Sequence, residues 1–257
     1  MLPKRLRNSI YWLALPLLAA VVFYAAKHVT FKVKAYAQIS TPPFVAETAT
    51  YSFKDDPQGE LFLKQVTARR SDGSTAEVSR QGPVWGASRR SVTLLSGMTF
   101  HAFDLISSKT SFKMKPEELA ALKERLTNPP ADCLFWPNAK VIGREALFGQ
   151  EVVVLTHPLD KQKITYWMAQ QLSCEKLQYR IETQQSDGSY KLQTEGRLIS
   201  LEMKEPDPAF FDPTANYEEV LPSEIMRRHY EKVGVAEPAE IQRQGERADK
   251  MVQQYKQ

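Results

Sequence analysis

The sequence predicts an α+β, mainly-β protein: a strongly curved antiparallel sheet (a half-barrel) covered by one or a few helices, with an N-terminal membrane helix. Three observations predict it. Runs of β-branched and aromatic residues recur through 44–114 and again through 140–203, and Asp-Gly pairs at 72–73 and 187–188 supply the positive φ that tight hairpins need. A single convincing helical stripe stands between the two blocks. Residues 10–26 are seventeen consecutive uncharged, mostly apolar residues.

That N-terminal run, Ile10 to Ala26, follows Lys4, Arg5 and Arg7 and is followed at once by Lys27. As a helix it measures roughly 26 Å, the short end of what spans a hydrocarbon core. Tyr11, Trp12 and Tyr24 stand near its ends as interfacial anchors do. Small residues suited to cleavage are missing just after the run, and the one A-x-A, Ala35-Tyr36-Ala37, lies behind three lysines. An uncleaved anchor is therefore expected over a cleaved signal peptide. The basic flanks are nearly balanced and tip toward N-terminus inside. The expected location is the inner membrane, single-pass, with the C-terminal domain in the periplasm or outside.

The first strand block begins with Phe44 to Phe53 and Leu61 to Arg69. The turn Ser71-Asp72-Gly73-Ser74 follows, then Val92 to Leu95, Met98 to Ile106 and Thr110 to Met114. Gly82, Pro83 and Gly86 around Trp85 interrupt the pattern. Pro116, Glu117 and Glu118 then suit the first turn of a helix, and Leu119, Leu122 and Leu126 mark one apolar face before Asn128-Pro129-Pro130 stops it. Strands resume at Val141–Leu147, Gln150–Thr156, Ile164–Ala169, Glu175–Gln185 and Tyr190–Met203. Asp207–Pro213 reads as a short hook. The organisation expected is an anchor with basic flanks over 1–34, a half-barrel domain over 35–221, and a polar helical or disordered tail over 222–257.

Composition narrows function mainly by exclusion. The net charge of +4 has no basic cluster behind it outside the anchor flanks, so nucleic acid is not an expected partner. His28, His101, His157 and His229 stand at no metal-ligand spacing with one another or with a cysteine. No nucleophile elbow, Walker loop or dinucleotide fingerprint occurs. No catalysis, cofactor or metal is expected. Asp55-Asp56 beside Pro57 reads as a solvated turn. The two cysteines, Cys133 and Cys174, are an even count in an exported chain and are expected to bond to each other.

Several segments of the second block resemble the half-barrel class that includes the lipoprotein carrier LolA, its receptor LolB and the envelope-stress sensor RseB. They are Gly143-Arg144-Glu145, Phe148-Gly149-Gln150-Glu151-Val152-Val153-Val154 and Thr165-Tyr166-Trp167-Met168-Ala169. Tyr179-Arg180-Ile181-Glu182, Asp187-Gly188, Phe210-Phe211-Asp212-Pro213 and Tyr217-Glu218-Glu219-Val220 complete the pattern. The likeness covers about 44–221 and implies a sheet that closes around a space under a helix. The carriers' functional residues match no positions here, and none is carried over.

The expected function is thus a membrane-anchored binding module that holds a lipid or lipoprotein acyl chain without catalysis. The alternative is an envelope sensor or protein-interaction domain whose interior is filled by its own side chains. If a ligand cavity opens under the helix, its expected lining is Leu119, Leu122, Phe103, Phe112, Trp136 and Trp167.

Overall fold

A computed structural model describes residues 41–81 and 88–256. The apolar run at 10–26 and the interruption around Trp85 lie outside the described residues. Among the described residues no helix is long and apolar enough to cross a membrane.

Among the described residues twelve strands form one open, curved sheet in the order β12-β6-β5-β4-β3-β2-β1-β11-β10-β9-β8-β7. The strands are β1 (Phe44–Ser52), β2 (Glu60–Arg69), β3 (Thr75–Gln81), β4 (Ser88–Thr93), β5 (Met98–Phe103), β6 (Ser108–Lys113), β7 (Lys140–Leu147), β8 (Gln150–Leu159), β9 (Gln162–Ala169), β10 (Glu175–Gln184), β11 (Tyr190–Glu202) and β12 (Glu218–Glu219). Among the described residues three α-helices accompany them: α1 (Pro116–Thr127), α2 (Pro222–Val233) and α3 (Ala239–Lys256). All pairings are antiparallel except the short parallel one of β12 with β6. The sheet is therefore two meanders, β1–β6 and β7–β11, joined along β1 and β11.

Curvature has identifiable causes. The register shifts at Glu47/Thr48, Thr50/Tyr51, Val141/Gly143, Lys176/Gln178 and Ile181/Glu182. An extra residue on one strand bends it and increases its twist. The two Asp-Gly turns are built alike: Gly73 and Gly188 adopt φ of +86° and +84°. In each, the aspartate accepts from the amide two residues on, Ser74 N to Asp72 at 2.7 Å and Ser189 N to Asp187 at 2.9 Å.

The connection from β6 to β7 runs from one end of the sheet to the other. It carries α1, whose Lys115 amide donates to Glu118 at 3.2 Å, and a short 3-10 turn at Ala131–Cys133. The disulfide between Cys133 and Cys174, expected from the sequence, ties this crossover to the turn between β9 and β10. Ser173 Oγ donates to the Leu126 carbonyl at 2.8 Å, and Arg69 Nη1 to the Leu172 carbonyl at 2.5 Å. The crossover and β2 thus fasten one turn.

Buried apolar residues gather in three clusters. One joins Phe44 and Ala46 of β1 with Val152, Val154, Trp167, Leu172, Leu177 and Leu198 of the second meander. A second packs Ala68, Ala76, Val92 and Phe100 against Phe211 of the hook, a 3-10 turn at Pro208–Phe211. The third surrounds the disulfide with Val153, Leu155 and Met168.

Candidate functional site

The backbone after the hook lies along the edge of β6. Glu218 N and Val220 N donate to the carbonyls of Ser107 and Lys109 at 3.1 and 2.8 Å. The Glu219 carboxylate accepts from Ser111 N and Oγ at 2.7 and 2.9 Å. This strap delivers Pro222 as the first residue of α2. Arg228 of α2 then donates to Glu224 and Glu218 at 2.7 and 2.6 Å and to Ser108 Oγ at 3.1 Å.

Helix α3 returns against α2. The two are in close contact at Gly245, where a Cβ would meet Ser223 Cα at 2.9 Å. Ser223 N donates to Asp249 at 2.9 Å across the same contact. At the far end Tyr255 donates its hydroxyl to Glu118 of α1 and packs on Phe112, ring centroids 5.1 Å apart. The segment 222–257, expected as a polar helical or disordered tail, is a helical pair seated on β6 over 222–256.

Between this pair and strands β4–β6 lies a cleft of about 350 Å³. Its floor carries Arg89, His101, Phe103, Thr110 and Phe112; Ile225, Met226, Met251, Val252 and Tyr255 form much of the opposite wall. Alternation explains the floor, since Arg89 pairs with Phe103 and His101 with Thr110 on one face of the sheet. Val92, Phe100 and Ala102 occupy the other face, and the first two pack with the hook's Phe211. The volume and the apolar wall are those of a small-molecule site.

Three polar groups interrupt the floor. His101 Nδ1 shares a hydrogen bond with Ser91 Oγ at 2.8 Å. Burial, and then the nearby Arg89 guanidinium, hold its pKa below the ordinary 6.5, so the ring is neutral at pH 7. Thr110 is 4% exposed, and its Oγ1 has no hydrogen-bond partner among the described residues. Arg89 is exposed.

A second cleft, of about 460 Å³ and more polar, lies at the crossover among Arg69, Leu126, Trp136, Tyr166, Glu175 and Lys176. Trp136 stacks with Tyr166 and with His157, ring centroids 4.9 and 5.5 Å away. Arg69 and Glu175 form an ion pair there. Burial drives the Glu175 carboxyl above its ordinary range although Arg69 opposes the shift.

The six residues expected to line one cavity are dispersed. Phe103 and Phe112 line the cleft under α2 and α3, and Trp136 lines the cleft at the crossover. Trp167 is buried in the first core cluster, its indole N–H donating to Glu145. Leu119 lies 3.6 Å from where a Cβ on Gly97 would stand, at the β4–β5 turn, and Leu122 is half-buried on α1. The dispersal follows from topology, because the crossover carries α1 past the sheet while the C-terminal pair covers β5 and β6. Sequence reasoning missed Ile225, Val252 and Tyr255. Ala248, Met251, Val252 and Tyr255 do recur at i, i+3, i+4 and i+7.

The other candidates have structural roles. Asp56 Oδ1 accepts from Gln58 N at 2.8 Å in a turn. Cys133 is bonded to Cys174 and is not a nucleophile. Among the described residues no group of three His, Cys, Asp or Glu side chains could hold a metal ion.

No protein-family model matches this chain, and no curated protein matches its sequence. Solved structures that resemble it include MucB, at 14% identity and a TM-score of 0.40, over 76% of this chain and 66% of that one. An outer-membrane lipoprotein-sorting protein domain from Vibrio parahaemolyticus is 11% identical with a TM-score of 0.28, over 65% of this chain and 88% of that one. LprF from Mycobacterium bovis is 13% identical with a TM-score of 0.30, over 66% of this chain and 90% of that one. The chain spans less than two thirds of MucB's length.

Proposed function

We propose that this chain is a membrane-anchored, exported binding module without catalysis, which holds an apolar ligand such as a lipid acyl chain. The ligand site is the cleft between β4–β6 and the helices α2 and α3. One observation carries the reading: an apolar cleft of about 350 Å³ whose wall is a terminal helical pair rather than the closed core of the sheet. The anchor is the run at 10–26, and the domain faces the periplasm or the exterior.

N-phenyl-1-naphthylamine, a neutral apolar dye, tests this on the full chain in detergent below its micellar concentration. Its fluorescence is expected to rise on binding and to fall back in Val252→Asp. Native mass spectrometry after gentle purification is expected to show co-purified lipid. A chain that neither binds the dye nor carries lipid overturns the reading.

A second reading, a protein-interaction or sensor domain, has one specific observation in its favour. Strand β7 is an open end of the sheet, and Val141, Ile142 and Phe148 are exposed on it and at its turn. Such an edge suits addition of a further strand. Failure of the dye and lipid experiments would put this reading first.

A further inference from the structure

The apolar cleft has a charge preference built into its floor. Arg89, His101 and Thr110 stand on adjacent strands β4, β5 and β6, with His101 directly opposite Thr110 and Arg89 one pair along, opposite Phe103. Each can donate a hydrogen bond. Thr110 Oγ1 is buried, lines the cleft and has no partner among the described residues, an arrangement that natural interiors avoid. His101 engages Ser91 through Nδ1, which leaves Nε2 for another group. Among the described residues no carboxylate forms an ion pair with Arg89, and no Asp or Glu lines the cleft. The polar part of the floor therefore carries positive charge and donors, while the wall above it is apolar.

Building on the proposed function, we infer that the ligand is a single-chain anionic amphiphile. Its carboxylate or phosphate head is held by Arg89 at the mouth, with Thr110 and His101 donating from the floor, and its chain lies against Phe112, Met251 and Val252. A guanidinium is suited to both heads because its planar donors match two oxygens at once. A neutral chain would fill the same apolar wall yet leave the Thr110 hydroxyl unmet.

The test is displacement of N-phenyl-1-naphthylamine from the full chain by dodecanoate, dodecyl phosphate, 1-dodecanol and dodecyltrimethylammonium. At least one anion is expected to displace the dye roughly tenfold more tightly than the cation. The anion that does so identifies the head group. Arg89→Gln is expected to weaken that anion about tenfold and to leave 1-dodecanol within about twofold. Thr110→Val is expected to weaken the anion about threefold while the melting temperature stays the same or rises, since an unpartnered buried hydroxyl is removed. Equal displacement by all four probes, or anion affinity unchanged in both variants, overturns the inference and leaves an apolar cleft. Dye that never binds overturns the underlying reading instead. Thermal unfolding of Arg89→Gln, expected to match the parent, separates lost contact from lost fold.

Discussion

Cys133 and Cys174 lie with their Cα atoms 5.4 Å apart, within the range a disulfide spans, and their bond fastens the crossover to the β9–β10 turn. The bridge closes a segment with a separation of 41 residues. In the chain-entropy model that restraint contributes about 4 kcal/mol. The double variant Cys133→Ser/Cys174→Ser is expected to lose about that much in urea unfolding, and reductant is expected to act on the parent alone. An unchanged midpoint would mean that the crossover holds without the bridge.

Gly196 sits beneath Tyr179. A Cβ at this position would fall 2.2 Å from the tyrosine ring, and the ring's hydroxyl shares a 3.2 Å hydrogen bond with Thr50. Gly196→Ala must push the ring away and lengthen that bond. The expected cost is roughly 1–3 kcal/mol. In Gly196→Ala/Tyr179→Leu the two losses should not add, and a double-mutant cycle with no coupling would contradict the contact.

Glu195 is 3% exposed and accepts from Arg180 and Arg197, each at 2.5 Å. Burial raises its pKa, but the hydrogen bonds of the two guanidinium groups outweigh that and hold the carboxyl below its ordinary 4.5. A carboxylate with a depressed folded pKa adds stability that is full above the unfolded value. That stability is lost as pH falls through the folded value. Glu195→Gln is therefore expected to cost about 1–3 kcal/mol at pH 7 and to flatten the decline below pH 4.5. A variant whose stability falls as steeply as the parent's would contradict this assignment.

Arg69 and Glu175 are a largely buried pair, with side chains 5% and 24% exposed. Burial lowers the arginine's pKa and raises the glutamate's, so each charge depends on the other. Removing one partner leaves the other uncompensated. Arg69→Met is expected to cost roughly 3–5 kcal/mol, and Arg69→Met/Glu175→Leu to recover part of it. The check is calorimetric melting at pH 7.

Gly245 is a point of close contact between α2 and α3, with Ser223 as its neighbour. Gly245→Val is expected to separate the helices and to speed amide exchange in both, while the β9–β11 amides keep their protection. Equal loosening across the sheet would show that the pair and the sheet open as one unit.

Much of the sheet was legible because turns and alternation are local signals. Asp72-Gly73 and Asp187-Gly188 announced their hairpins, and Pro116 with Leu119, Leu122 and Leu126 announced α1. The cysteine pair followed from count and compartment. The docking of the tail was not legible. Ile225 and Met226 are isolated in a charged segment, and the stripe Ala248–Tyr255 covers barely two turns of α3, so local periodicity alone reads as a marginal helix. Its place on β6 is fixed by the strap at Glu218–Glu219, a parallel pairing of two residues that no sequence pattern announces. The cleft inherited that blindness, since half its wall is this pair.

The seam at the middle of the sheet joins residues far apart in the sequence, Val45 of β1 opposite Glu202 of β11. Each meander contains mostly neighbouring hairpins and can assemble as its residues become available. Contacts of long sequence separation form slowly because chain entropy must be surrendered before they reward it. During synthesis β1 must wait for β11, with one long side unpaired and prone to join another chain. An exported chain would make that wait during translocation, and assistance that shields β1 until β11 arrives would raise yield more than added stability in either meander.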